Sequence, residues 1–202
     1  MPKDVVGVVL AAGASTRLGR PKQTLPFGDR TLLGHVVADV EASSLDRVIV
    51  VLGGAADEAA AALQFTRAEI VRNDGYGDGC ASSLLAGLDA AGECDAIVLL
   101  LGDMPGVTPA TIDAVVAAWR TSSSWAAVTE YEHGELGHPF VFSSDSFATI
   151  RTLHGDRAVW KIVDRDPRVV RIAAATPRPR DVDTWEDYVA VCGAFGCEPA
   201  SR

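Results

Sequence analysis

Two stretches of six residues carry no polar side chain: residues 5–10 (VVGVVL) and Ala96–Leu101 (AIVLLL). A strand with one wet face alternates apolar and polar residues, so runs like these belong to strands covered on both faces. The first is followed, after a loop, by Leu32, Leu33, Val36, Val37 and Val40 at helical spacing, with Thr31 placed to cap that helix. Residues 48–52 and 69–71 read as further strands, and residues 55–63 and 82–90 as helices. Thr108-Pro109 opens another helix, to about residue 119. Strands alternating with helices predict an α/β fold with a parallel sheet covered on both sides. Beyond residue 125 the pattern is less regular. Residues 126–129, 139–142 and 169–173 read as strands, and residues 143–153, 156–163 and 184–195 as helices. Thr184 and Asp187 form a weak capping box, and the tail from residue 196 reads as frayed.

The chain has 202 residues, 48% of them hydrophobic, which suits one domain spanning residues 1–202. A formal charge of −9 argues against general binding of nucleic acid, because the phosphate backbone would be repelled. Any phosphate site must then be locally basic or use a metal ion. No apolar run is long enough to span a bilayer, and residues 1–4 lack the layout of a signal peptide. Cys80, Cys94, Cys192 and Cys197 form no CxxC pair. Reduced thiols and a cytoplasmic location are expected.

The most informative segment is Leu10-Ala11-Ala12-Gly13-Ala14-Ser15-Thr16-Arg17-Leu18-Gly19-Arg20-Pro21-Lys22. It leaves the carboxyl end of a buried strand, where open α/β sheets bind ligands. Small residues let backbone N–H groups approach an anion, and Arg17, Arg20 and Lys22 add three cations. Neither GxxxxGK[ST] nor GxGxxG is present. From the residues alone the loop is either an anion cradle or a solvated turn. Asp103, at the end of the apolar run Ala96–Leu101, is either a magnesium ligand or a carboxylate in a strand-ending turn with Pro105 and Gly106. Asp183 has the further alternative of a helix-start carboxylate.

These motifs resemble those of the small nucleotidyltransferases, and more closely the molybdenum cofactor cytidylyltransferase group (MobA-like NTP transferases). The loop is similar to LAAGxSxRxGxPK, GDMP at 102–105 to GDxP, and DVDTWED at 181–187 to DxDTPED, with Trp185 where that group usually has Pro. The resemblance runs from Val5 to about Val191. It implies a Rossmann-like three-layer sandwich of the nucleotide-diphospho-sugar transferase type. It also implies a division in which residues to about 105 bind the NTP and the remainder binds the acceptor. Lys22 would face the α-phosphate, with Arg17 as a second catalytic cation. Leu10, Ala11, Ala12, Gly13, Ser15 and Gly19 would surround the nucleotide. Asp103 and Asp183 would hold Mg²⁺ (or Mn²⁺). Asn73, Gly79 and Ser83 fall in a loop similar to the group's base-binding loop. His138, in Gly137-His138-Pro139, is read either as an acceptor contact or as a histidine in a turn before a strand. Gly155-Asp156-Arg157 resembles a turn that could touch the acceptor. LAAG rather than LAGG resembles the members that use CTP.

The implied reaction moves NMP from an NTP, CTP favoured, to a phosphate-bearing acceptor, molybdopterin first and phospholactate or a sugar phosphate as alternatives. A molybdoenzyme could receive the product. A nucleotide sensor without catalysis, or a scaffold docking a cofactor onto an oxidoreductase, are the rival readings.

Overall fold

A computed structural model of the chain describes residues 4–15, 17–63, 67–155 and 158–202. β1 (Val5–Ala11) leads through the long loop into a small hairpin, β2 (Pro26–Phe27) and β3 (Arg30–Thr31), and then α1 (Leu32–Glu41). There follow β4 (Arg47–Leu52), α2 (Ala56–Ala61), β5 (Glu69–Arg72), α3 (Cys80–Ala91), β6 (Ala96–Leu101) and α4 (Pro109–Ser122). The remainder is β7 (Ala126–Glu130), β8 (Leu136–Ser143), α5 (Phe147–Ile150), α6 (Ala158–Arg165), β9 (Val169–Ala173) and α7 (Trp185–Phe195).

One sheet runs in the order β5-β4-β1-β6-β8-β7-β9. Only β8 is reversed, antiparallel to both β6 and β7. Along β1 the side chains alternate between two cores. Val5, Val9 and Ala11 join α1, α2 and α4, while Val6, Val8 and Leu10 join α3, α5 and α6. This is the expected three-layer sandwich with a mostly parallel sheet, and it explains why β1 and β6 carry no polar residue. Gly87 lets α3 lie directly on β1, since a Cβ there would collide with Val8. A third cluster packs α7 against the hairpin through Leu25, Phe27, Tyr188 and Val191.

Three expectations need correcting. Residues 143–153 are not one helix: β8 runs on to Ser143, and only Phe147–Ile150 are α-helical. Ser143 is tied to the Trp125 carbonyl by both its N–H and its hydroxyl, and Ser146 donates to the Ser143 carbonyl at 2.6 Å. Serine hydroxyls thus compete with the helix for backbone groups. The tail from residue 196 is docked rather than frayed. The Cys197 N–H bonds the Cys192 carbonyl, the Ala200 N–H bonds the Tyr188 hydroxyl, and Arg20 donates to the Ser201 carbonyl. The helix expected from residue 82 starts at Cys80, because Gly79 (φ 96°) turns the chain into it. The helix expected over 156–163 is observed as α6, and residues 156–157 lie outside the described residues. The capping box at Thr184 and Asp187 is complete. Among the described residues no helix is long and apolar enough to cross a membrane.

Candidate active site

The carboxyl ends of β1 and β6 lie side by side, and the loop after each borders a cavity of about 230 Å³. From the expected set Leu10, Ala11, Ala12, Gly13, Lys22, Gly79, Ser83 and Asp103 line it. Sequence reasoning missed Gln23, Tyr76, Cys80, Leu101 and Gly102, which line it too.

Gln23 organises the loop. Its side-chain amide is buried and donates to the Ala11 carbonyl at 2.8 Å and the Gly13 carbonyl at 2.9 Å. Ser15 adopts a left-handed backbone (φ 53°) and accepts the Lys22 N–H on its hydroxyl at 3.0 Å. A non-glycine residue in that region signals a backbone held by its surroundings. The one available clue was a polar residue between Lys22 and the apolar Leu25 and Phe27. Tyr76 rests on Gly53-Gly54. A Cβ at Gly53 would meet the Ala12 carbonyl at 2.6 Å and the Tyr76 Cβ at 2.7 Å, so both glycines are needed for this close approach. The glycines around Tyr76 hid it within an ordinary-looking loop.

The charged end of the cavity is built on Lys22. Its ammonium donates to Asp103 Oδ2, to Asp183 Oδ1 at 2.9 Å and to the Val182 carbonyl at 3.0 Å. Three acceptors use all three ammonium protons. Burial alone would lower the Lys22 pKa, but Asp103 and Asp183 carry it above its ordinary value. For Asp103 burial pushes the carboxyl up against the pull of Lys22. The two directions conflict over the charge of the pair, and the three-way bonding of Lys22 favours the ionised form. Asp183 is held below the usual carboxylate range, first by the hydrogen bond from Lys22. Arg17 is exposed and pairs with Asp183 at 3.2 Å. The segment carrying Asp183 is fixed by the Val182 N–H, which bonds the Asp103 carbonyl at 3.0 Å.

Asp103 Oδ1 is buried with no hydrogen-bond partner among the described residues. Among the described residues no group of three or more His, Cys, Asp or Glu is placed to hold a metal. Mg²⁺ commonly takes one or two carboxylates and completes its shell with substrate phosphates and water, so Asp103 and Asp183 fit it.

Other expected residues lie apart from the cavity. Asn73 donates its amide N–H groups to the Ser82 and Ser83 hydroxyls (2.9 and 3.0 Å) and accepts the Gly75 N–H on its oxygen, so it shapes the loop before α3 and does not line the cavity. Gly19 is exposed at φ 70° and is a turn residue. His138 lies within β8, not in a turn before it. Its ring is buried, stacked on Phe140 at 4.0 Å, and held neutral by burial, which lowers its pKa to about 3. It is therefore part of the core wall and does not present a charge to an acceptor. Of the turn at 155–157, only Gly155 is among the described residues.

A family model for the MobA-like NTP transferase domain matches residues 7–170. The chain belongs to this family. The MobA-like chain is 31% identical over 190 residues to the nicotine blue oxidoreductase of Paenarthrobacter nicotinovorans, covering 90% of this chain and 93% of that protein. It is 32% identical over 190 residues to the 2-C-methyl-D-erythritol 4-phosphate cytidylyltransferase of Corynebacterium diphtheriae, covering 90% and 71%. The Rv0371C protein of Mycobacterium tuberculosis, solved in complex with manganese, superposes with a TM-score of 0.83 at 37% identity, covering 95% and 99%. The family model and the cytidylyltransferase relative support a transferase of the nucleotidyltransferase class.

Proposed function

We propose that this MobA-like chain transfers the nucleoside monophosphate of an NTP, CTP in preference, to the phosphate of a molybdopterin-type acceptor. The observation that carries the reading is Lys22 bonded at once to Asp103 and Asp183 beside the β1–β6 cavity. An oxygen of the acceptor phosphate forms a bond to the α-phosphorus. The bond from that phosphorus to the bridging oxygen breaks, and pyrophosphate leaves with the electron pair. A nucleophile that is already anionic needs no general base, so positioning and charge neutralisation can supply the catalysis.

The loop from Gly13 to Lys22 supplies backbone N–H groups and cations for the triphosphate. The four-carbon stem of Lys22 lets its ammonium swing from the carboxylates to a phosphate oxygen in the same cavity. Asp103 and Asp183 would hold Mg²⁺ or Mn²⁺, which when bound supplies charge neutralisation at the phosphate oxygens. Tyr76, Gly79 and Ser83 border the space for the base and sugar. Two points support cytosine. Ala12 adds a methyl group where the guanylyl-transferring relatives tend to carry glycine, and one relative is named a cytidylyltransferase. Residues to about 105 then hold the nucleotide, and the remainder of this single cytoplasmic domain holds the acceptor and passes the product to a molybdoenzyme.

The relative named an oxidoreductase supports a second reading, a redox reaction on the same fold. Pyrophosphate release with CTP, GTP, ATP and UTP against molybdopterin, phospholactate and sugar phosphates separates the readings. Release with CTP and molybdopterin is expected. Nucleotide binding without release from any pair would favour a sensor. Turnover of nicotine blue without pyrophosphate release would favour the redox reading.

A further inference from the structure

A second cleft, of about 560 Å³, opens between α6 and residues 178–181. Its lining is Trp160, Lys161, Asp164, Arg165, Arg178 and Asp181. The sequence of α6 explains the first wall. Val159, Ile162 and Val163 are buried in the core beneath the sheet, which turns Trp160, Lys161, Asp164 and Arg165 to the other side of the helix. The Trp160 ring is fixed edge-on against Phe140 (5.1 Å) and His138 (6.3 Å).

The second wall leads straight into the site. Asp181 directly precedes Val182, whose N–H bonds the Asp103 carbonyl at 3.0 Å and whose own carbonyl accepts from Lys22 at 3.0 Å. Arg178 packs over Gly137, where an added Cβ would meet its Nε at 3.2 Å. The 178–181 wall is therefore tied, through Val182, to the Asp103 and Lys22 end of the first cavity.

Three cations against two carboxylates make the cleft net positive on a chain of charge −9. Arg178 approaches Asp181 only to 3.9 Å. The side chains of Lys161 and Arg165 make neither a hydrogen bond nor an ion pair among the described residues. Unneutralised cations in a concave site focus field on an anionic ligand.

We propose that this cleft is the acceptor subsite and that it takes a phosphate monoester with a planar ring body. Arg178 lies nearest the reacting phosphate, Lys161 and Arg165 hold anionic groups further out, and Trp160 packs against the ring. The assignment rests on the nucleotidyl-transfer reading for the identity of the ligand.

The test is the double variant Lys161→Gln/Arg165→Gln, with its thermal unfolding compared with wild type to check the fold. Both changes lie on the outer face of α6. KM for molybdopterin and for CTP comes from pyrophosphate release. The Kd for molybdopterin alone comes from equilibrium dialysis at low and high salt. The acceptor KM and Kd should each rise about tenfold or more, on the scale of losing charge-assisted contacts, while KM for CTP stays within about twofold. The salt dependence of acceptor binding should weaken in the variant. An unchanged acceptor Kd, or a rise confined to KM for CTP, overturns the assignment. If wild type binds molybdopterin but releases no pyrophosphate, the nucleotidyl-transfer reading fails and the dialysis comparison alone decides the subsite. If wild type binds neither molybdopterin nor phospholactate nor a sugar phosphate, the subsite is refuted.

Discussion

Replacing Gln23 with Met keeps the length of the side chain and removes its amide. Two carbonyls then lose their donor. The Ala11 carbonyl is buried, and a buried acceptor left unpaired costs about 1–3 kcal/mol. The Gly13 carbonyl is partly exposed and can turn to water, so its loss is nearer ~1 kcal/mol. The sum is about 2–4 kcal/mol, against a global stability on the order of 5–15 kcal/mol. Thermal unfolding should fall by roughly 4–16 °C. Urea unfolding gives the free energy directly, and an unchanged m-value would place the effect in the native state. The same two bonds hold the backbone that precedes Ser15 and Lys22, so kcat/KM should fall about 10–100-fold, the scale of a small misplacement of reacting groups. Stability within about 0.5 kcal/mol of wild type together with unchanged turnover would refute the reasoning. It would mean that the loop holds its shape without Gln23.

Asp103→Asn should leave the fold intact and lower kcat by about 10²-fold or more, as expected for loss of one electrostatic stabiliser, and a near-wild-type rate removes Asp103 from the metal site. His138 is neutral in the fold down to about pH 3, whereas its unfolded value is near 6.5, so the unfolded chain takes up the proton first. This contribution should therefore be complete above pH 6.5 and be lost as the pH falls towards 3, by an amount on the order of 5 kcal/mol. His138→Phe should lack that part of the acid slope in urea unfolding at a series of pH values. At Gly53 an added methyl would press on the Ala12 carbonyl and on Tyr76. Gly53→Ala should cost about 1–3 kcal/mol and raise KM for the NTP; a neutral effect on both would show that Tyr76 does not close the cavity.

Apart from the small hairpin of β2 and β3, which reads as loop from the sequence, the order of strands and helices through residue 122 was legible because burial on both faces leaves an unbroken apolar run, as in β1 and β6. The irregular half was harder. Ser143 and Ser146 carry no periodic signal, yet their hydroxyls decide where β8 ends. At the site, Lys22, Asp103 and Asp183 were picked out through the likeness of their segments to the family's motifs, because from the residues alone a solvated turn, a strand-ending turn and a helix-start carboxylate stayed open. Their mutual contact was not legible, since Lys22 and Asp183 are 161 positions apart. Gln23 and Tyr76 escaped notice because a buried amide and a glycine-seated ring have meaning only once the loop is folded. His138 misled for the opposite reason. Its Gly-His-Pro setting reads as a turn, whereas the backbone continues as strand and carries the ring into the core.

The bonds that complete the site also span most of the chain. Lys22 reaches Asp103 across 81 positions and Asp183 across 161, and Arg20 reaches Ser201 across 181. The strands β5-β4-β1-β6, by contrast, all lie within the first half of the sequence and pair as neighbours in the sheet. Contacts between distant residues are the slow ones to form, because the connecting chain must be closed before they repay its entropy. On a growing or refolding chain, the half that carries β1 and β6 can therefore take its outline while Lys22 still lacks the carboxylate of Asp183. The site is complete only once the segment before α7 has docked against Lys22 and the Asp103 carbonyl.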